Sequence, residues 1–200
     1  MFNSKNLFNM HKIAVIYGSS RSDRQGIKAA KFINQKLSER DVQIEFIDTQ
    51  KYPLPFLDKM HKEYPSGSAP EIMEQIHKIL KASDGFVIVS GEYNHSIPAV
   101  LKNLLDHFQS EYYFKPSAIV SYSAGGFGGM RVAMHLRAVL AELGMPAIPS
   151  IFPISNIYSS INQHGIAVDE KYDLHINRFL DEFLWYVNAL KVQRQSGMPY

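Results

Sequence analysis

The feature that most constrains the fold is a regular alternation of short apolar runs with amphipathic segments of helical period. Most of the runs are rich in β-branched residues, as in strands buried on both faces, and the segments between them carry apolar residues three and four positions apart. Parallel neighbouring strands need crossover connections, which these helical segments supply. The pattern therefore predicts an α/β fold, a three-layer, doubly wound arrangement around a five-stranded parallel sheet. The predicted strands cover residues 13–17, 42–48, 85–90, 118–122 and 147–154, and the predicted helices begin near residues 27, 70, 98, 130 and 174.

Four prolines help to place the last strand and the beginnings of two helices. Pro149 and Pro153 interrupt the last strand, and this predicts that it lies at an edge of the sheet, where a missing N–H is tolerated. Pro70 and Pro98 are each expected at the first position of a helix, since that N–H has no partner within the helix.

The composition is typical of one globular domain. The chain has 200 residues, of which 46% are hydrophobic and 20% charged, and it contains no cysteine. Disulfides, zinc–thiolate sites, iron–sulfur clusters and thiol nucleophiles are therefore excluded. A net charge of +2 gives no overall attraction to nucleic acid, and no apolar run reaches the roughly 18 residues of a membrane helix. We expect a cytoplasmic protein that binds neither nucleic acid nor membrane, with a tail at 1–11, a single domain over 12–195 and a short tail at 196–200.

The loops after the first, third and fourth strands carry the most functional information, because ligands of doubly wound sheets bind beyond the carboxyl ends of the strands. The first loop, 18–26, combines small residues, three serines and two arginines directly before a helix. These are the components of a phosphate site. No Gly-Lys-Ser/Thr follows, so the loop is not a P-loop, and it lacks the Gly-x-Gly-x-x-Gly dinucleotide pattern. The alternative interpretation is a solvated loop with two surface arginines, Arg21 and Arg24.

The second loop, 90–98, places five different polar groups at the end of the third strand, in Glu92, Tyr93, Asn94, His95 and Ser96. Such a set suits a planar heteroaromatic ligand, because Tyr93 offers an aromatic face while Asn94 and neighbouring backbone amides can bond the ring edge. The alternative is a polar turn in which Asn94 caps the following helix.

The third loop, 122–129, contains four glycines, which let the main chain approach a ligand and expose its N–H groups. Residues 126–131 match a dinucleotide fingerprint only superficially. Arg131 occupies the position of the last glycine, and the fingerprint belongs at the first βα turn, which lies elsewhere in the chain. Together the three loops indicate a phosphate cradle, an aromatic face and a bed of amides. This combination predicts a mononucleotide of flavin type as the ligand.

In order and content the three loops resemble the motifs of the NADPH-dependent FMN reductase family, which is flavodoxin-like in fold and includes quinone, azo-dye and chromate reductases. The likeness covers about residues 12–155, with one departure at Gly91, where the family usually has proline. The resemblance implies FMN as cofactor and NADPH or NADH as co-substrate. It implies that the FMN phosphate contacts Ser19, Arg21, Arg24, Gln25 and Gly26. It further implies that the isoalloxazine contacts Glu92, Tyr93, Asn94 and His95, and that its pyrimidine edge contacts Ser123, Gly125 and Gly126.

The resemblance implies an oxidoreductase that passes two electrons from a nicotinamide to a quinone, an azo compound, a free flavin or a similar small acceptor. It also implies a homodimer or homotetramer. Since the cofactor carries the difficult chemistry, we assign no catalytic residue; His95 could supply a proton or be an ordinary loop histidine. No His-x-x-x-His or similar ligand spacing occurs among the histidines, so we expect no metal site.

Two other functions stay open on the sequence. One is a flavodoxin-type electron carrier without a hydride-donor site of its own; flavodoxins tend to be strongly acidic, whereas this chain carries +2. The other is a scaffold or regulator that has kept the fold without FMN, and the two arginines and the Tyr93–Asn94 pair argue against it. The fold alone cannot separate these functions.

Overall fold

The computed structural model describes residues 10–200, so most of the tail expected at 1–11 lies outside the described residues. Five strands alternate with five longer helices, as the sequence pattern predicts. The strands are β1 (His11–Tyr17), β2 (Val42–Asp48), β3 (Gly85–Gly91), β4 (Ser117–Tyr122) and β5 (Ala147–Ile154). The helices are α1 (Ile27–Ser38), α2 (Glu71–Ala82), α3 (Ala99–Asp106), α4 (Met130–Glu142), α5 (Ile157–Ser160) and α6 (Glu170–Gln195).

All five strands are parallel, in the order β2-β1-β3-β4-β5, which confirms the predicted sheet. Alternate residues of β1 enter opposite layers, as the pleat requires. Ile13 and Val15 pack with α1 and α6, whereas Ala14 and Ile16 pack with α2, α3 and α4. Two hydrophobic layers therefore cover the two faces of one sheet. None of the helices between residues 10 and 200 has the length and apolar content needed to cross a bilayer.

The helix boundaries differ from the predicted ones in a few places. Pro70 and Pro98 are N-caps in extended conformations, each one residue ahead of its helix, rather than the first helical residue. The closing helix α6 is longer than the predicted 174–190, because Asp169 accepts a hydrogen bond from the Lys171 N–H and so caps an earlier start. A 3₁₀ turn at His61–Glu63 and the short α5 lie in segments that the sequence leaves irregular.

The edge position predicted for β5 is confirmed. Pro149 and Pro153 have no N–H to offer on this strand. The Ser150 N–H, which lies between them, donates to Glu182 Oε1 at 3.2 Å, and Glu182 belongs to α6. Helix α6 therefore supplies the acceptor that a further strand would otherwise provide.

Candidate functional site

The carboxyl ends of the central strands bring the three predicted loops to one rim. Tyr17 of β1 pairs with Asp48 and Val89, and Gly91 of β3 pairs with Tyr122 of β4, so the loops leave the sheet side by side. Strand order reverses between β1 and β3, which is the position where doubly wound sheets bind ligands. One open pocket here is lined by Ser19, Arg21, Asp23, Arg24, Gln25, Gly91, Glu92, Tyr93, Tyr122, Ser123, Ala124, Ile157 and Tyr158.

The first loop presents unused hydrogen-bond donors toward this pocket. Within the described residues, the backbone N–H groups of 20–23 donate to no protein acceptor, and Arg21 is exposed and forms no ion pair. Ser19 is buried, with its Oγ 3.4 Å from the Tyr93 hydroxyl, so the first and second loops touch. The amino terminus of α1 follows the loop and adds the positive end of its dipole. The loop can therefore hold a phosphate through main-chain donors and one free guanidinium.

Arg24 has a different environment from Arg21. Its guanidinium makes a two-pronged ion pair with Asp48, at the end of β2, with Nη2 to Oδ2 at 2.6 Å, and it also donates from Nη1 to the Ser19 carbonyl at 2.9 Å. The Asp48 side chain is 1% exposed and that of Arg24 is 11% exposed. The hydrogen bonds to Asp48 raise the pKa of Arg24. Arg24 thus fixes the loop to β2, with its charge balanced by a buried carboxylate.

Tyr122 forms the floor between the first and second loops. A Cβ at Gly26 would lie 1.9 Å from Tyr122 Cζ, and one at Gly91 would lie 2.9 Å from the same ring. Glycine is required at both positions because the phenol ring occupies the space. Burial raises the pKa of Tyr122 and of Tyr17, whose ring centroid is 6.5 Å away. Both phenols therefore stay neutral at physiological pH and can donate hydrogen bonds, and the buried Tyr17 hydroxyl has no partner among the described residues.

The second loop is a tight turn whose residues have separate roles. Asn94 and His95 are both exposed at positive φ, 48° and 66°, between Tyr93 and Ser96, which exchange backbone hydrogen bonds of 3.0 and 2.9 Å. Asn94 is therefore the turn residue of a small hairpin rather than a helix cap, since asparagine tolerates the left-handed region. Tyr93 lines the pocket, whereas Asn94 and His95 are not among the residues that line it.

Glu92 connects the second loop to the third. Its Oε2 accepts hydrogen bonds from the backbone N–H groups of Arg131, at 3.1 Å, and Val132, at 3.4 Å, in the first turn of α4. The Arg131 guanidinium lies 3.4 Å from Oε1. Glu92 thus caps α4 from a distant loop, although it also borders the pocket.

The third loop is held to the segment after β5. Asn156 N–H donates to the Gly125 carbonyl at 3.0 Å, and Ile157 N–H donates to the Ser123 carbonyl at 3.1 Å. A Cβ at Gly125 or Gly126 would meet no atom within 4 Å, so both glycines face open space. The N–H groups of 124–126 donate to no acceptor within the described part of the chain. These amides are available to donate hydrogen bonds to the edge of a ligand. Ser123 is itself one of the residues that line the pocket.

Seven of the twelve residues expected to bind the cofactor line the common pocket: Ser19, Arg21, Arg24, Gln25, Glu92, Tyr93 and Ser123. The other five lie in the same loops but outside the lining: Gly26, Asn94, His95, Gly125 and Gly126. The lining also contains six residues that were not among the twelve: Asp23, Gly91, Tyr122, Ala124, Ile157 and Tyr158. Asp48 contributes indirectly, as the ion-pair partner of Arg24. Asp48 and Tyr122 each end a predicted strand, so their positions could have marked them.

The donor set fits a phosphorylated flavin. Free main-chain N–H groups and Arg21 offer a phosphate site at one end, and the phenol of Tyr93 and the amides of the third loop lie farther around the same rim. The glycines at 125 and 126 keep a ring edge accessible, because no side chain covers them. These features agree with the predicted phosphate cradle, aromatic face and bed of amides.

Comparison with known proteins identifies the family. The family model described as NADPH-dependent FMN reductase matches residues 11–159. The chain belongs to this family. A 2-hydroxy-1,4-benzoquinone reductase of a Burkholderia species is 32% identical over 90% of this chain and 98% of its own length. An FMN-dependent NADPH-azoreductase of Staphylococcus aureus is 25% identical over 87% of this chain and 94% of its own.

Comparison with a solved structure supports the same family fold. FerB, a flavoenzyme NAD(P)H:(acceptor) oxidoreductase from Paracoccus denitrificans, superposes with a TM-score of 0.73 at 24% identity, covering 90% of this chain and 98% of FerB. The strand order is also the flavodoxin-like one. This FMN reductase family member is therefore an enzyme of flavodoxin-like fold, with FMN as cofactor and NAD(P)H as co-substrate, as the resemblance implied.

Proposed function

We propose that the protein transfers two electrons from NADPH or NADH, by way of bound FMN, to a quinone or a chemically similar acceptor such as an azo compound. The overall reaction consumes NAD(P)H, one proton and the quinone, and yields NAD(P)⁺ and the hydroquinone. A quinone acceptor is supported by the 32% identical relative, named as a 2-hydroxy-1,4-benzoquinone reductase, which aligns over nearly its whole length. When bound, FMN supplies the capacity to accept a hydride and to deliver its electron pair.

The observation that carries this proposal is the convergence of three separate loops on one open pocket at the strand-order reversal. The 20–23 amides and Arg21 would hold the phosphate, and Ser19 and Gln25 border the same end. Tyr93 would bound the ring, with the amides of 124–126 toward its polar edge. These groups would hold and orient the cofactor for reaction with a second substrate.

The chain's own titratable groups favour a proton taken from solvent. Glu92 is engaged by two backbone N–H groups and by Arg131, so its carboxylate is committed to α4. His95 is exposed in the turn and is not among the residues that line the pocket. We therefore infer that the protein contributes orientation and hydrogen-bond donors rather than a dedicated acid or base.

An anaerobic reduction experiment tests the proposal. Protein loaded with FMN is mixed with NADPH or with NADH, the bleaching of the flavin absorbance is followed, and a benzoquinone is then added. We expect rapid bleaching by at least one nicotinamide and rapid recovery of the absorbance with stoichiometric hydroquinone. A flavodoxin-type carrier would bind FMN and yet react with neither nicotinamide, and that result would overturn the reductase assignment.

We also propose a homodimer or homotetramer, because the resemblance to the family implies one, and a cytoplasmic location, as expected from the sequence. Light scattering coupled to gel filtration measures the mass directly. A mass near the 22.8 kDa of one chain would contradict this part of the proposal without affecting the reductase assignment.

A further inference from the structure

A group of histidines and glutamates lies on the α2 side of the sheet, and it shares no residue with the pocket described above. We call it the histidine cluster: His61 of the 3₁₀ turn, Glu74 and His77 of α2, and Glu111 between α3 and β4. Glu74 and His77 are three positions apart on α2, whereas His61 and Glu111 come from other parts of the chain. The fold brings these three segments together.

The contacts in the histidine cluster centre on one carboxylate oxygen. Glu111 Oε1 lies 2.6 Å from His77 Nδ1 and 3.5 Å from His61 Nδ1. The other nitrogen of His61, Nε2, lies 3.4 Å from Glu74 Oε1, but it is buried without a hydrogen-bond partner in the described structure. The two imidazole rings are stacked, with centroids 3.9 Å apart and planes 12° from parallel. Two imidazoles and two carboxylates thus form one compact group.

Neither carboxylate of the histidine cluster forms an ion pair with a lysine or an arginine among the described residues. Glu111, whose side chain is 5% exposed, has His61 and His77 as its ion-pair partners, and Glu74 has His61. The two carboxylates therefore share the two imidazoles as their ion-pair partners.

The lysines nearby, Lys78 and Lys81, border the depression outside Glu74 and His77 and form no ion pair with either carboxylate within the described residues. One ion of charge +2 would balance both carboxylates.

We propose that the histidine cluster binds one divalent transition-metal ion of the zinc type, with His61, His77 and Glu111 as ligands and Glu74 as a fourth ligand or the acceptor of a bound water. The donor atoms of the first three residues lie within 4.8 Å of one another. Imidazole and carboxylate together suit zinc, nickel or copper better than calcium or magnesium. A shallow depression bordered by Ser66, Gly67, Glu74 and His77 gives an ion access from solvent.

Binding requires a small local rearrangement. An imidazole coordinates a metal in the plane of its ring, and the two stacked planes of His61 and His77 do not meet at one point. One ring must therefore turn about its terminal torsion, which is broad for histidine. The bound ion would join the 3₁₀ turn, α2 and the α3–β4 connection, so its role is structural and separate from electron transfer.

Metal titration of the untagged, FMN-loaded protein tests this site after treatment with a chelator and its removal. Zn²⁺ binding is measured by calorimetry, and Co²⁺ binding by its visible absorption, which reports the ligand geometry. We expect one equivalent to bind, and His61→Gln and His77→Gln each to weaken binding tenfold or more. His175→Gln is the matched control, because His175 is an exposed histidine on α6, and it should bind Zn²⁺ like the unmodified protein.

The folding of each variant is checked by its FMN affinity, which should not change because the histidine cluster lies outside the pocket. Two histidine variants are made, so that if one of them fails to fold the other still tests the proposal. Absence of saturable one-to-one binding in the unmodified protein would overturn the proposal. Equal Zn²⁺ affinity in His77→Gln, His61→Gln and the unmodified protein would overturn it as well, since any binding would then belong to other histidines.

Discussion

Alanine substitution should separate the two arginines of the first loop into one that binds the cofactor and one that holds the fold. Arg21 is exposed and unpaired among the described residues, whereas Arg24 forms a two-pronged ion pair with Asp48, which is 1% exposed. Arg21→Ala removes a charge that is free to meet a phosphate. Arg24→Ala instead leaves a buried carboxylate without its partner.

The magnitudes follow from these environments. A charge-assisted hydrogen bond contributes about 1.5–3 kcal/mol, and an exposed guanidinium belongs at the low end, so Arg21→Ala should weaken FMN binding about tenfold. Its melting temperature should stay within about 2 °C of the unmodified protein, as for other surface changes. Breaking a buried ion pair costs about 3–5 kcal/mol of unfolding free energy, so Arg24→Ala should lower the melting temperature by roughly 6–20 °C.

Two measurements on each variant are sufficient: the melting temperature of the FMN-free protein by circular dichroism, and the FMN affinity by quenching of flavin fluorescence. The double variant Arg24→Ala, Asp48→Asn is the control, because it removes the uncompensated charge and should melt above Arg24→Ala alone. An Arg24→Ala protein that melts like the unmodified one would refute the structural role of the pair. Unchanged FMN affinity in Arg21→Ala would refute the phosphate site.

Two further predictions concern close packing and buried charge. Gly26→Ala should destabilise the fold, because its Cβ would lie 1.9 Å from Tyr122 Cζ, whereas Gly125→Ala faces open space and should fold normally; equal expression and equal melting temperatures of the two FMN-free proteins would contradict this packing. Burial lowers the pKa of Lys115 to about 8, below its value in the unfolded chain, so between about pH 8 and 10 the unfolded state binds more protons and stability rises with pH. Urea unfolding should show a gain on the order of 2 kcal/mol over this range relative to Lys115→Met, and parallel pH profiles for the two proteins would exclude the effect.

The sheet could be predicted from the sequence because its signals are local. Runs such as 85–90 are apolar throughout and end at residues that break a strand, so their limits in the structure differ from the predicted ones by one or two residues. Parallel connection then places the ends of β1, β3 and β4 at one rim, which is why the three loops could be grouped without coordinates.

The partners of individual side chains could not be predicted in the same way. Arg24 and Asp48 lie 24 positions apart, and their pairing depends on β2 lying next to β1 at the edge of the sheet. Glu92 was expected near the ring of the cofactor, but its carboxylate is also the cap of α4, a role that depends on where a distant helix begins. His61 and Glu111 follow the same rule, because they reach His77 only through tertiary packing.

The arrangement at β5 has a consequence for how copies of this protein can assemble. With Pro149 and Pro153 lacking N–H groups and the Ser150 N–H already occupied by Glu182, this border offers a neighbouring molecule only an interrupted row of hydrogen-bond donors. A continuous sheet running from one subunit into the next through β5 is thereby disfavoured, as is fibril growth from that side. A contact between subunits on this side of the sheet should then be built from helices or loops, and β2 is the remaining edge strand.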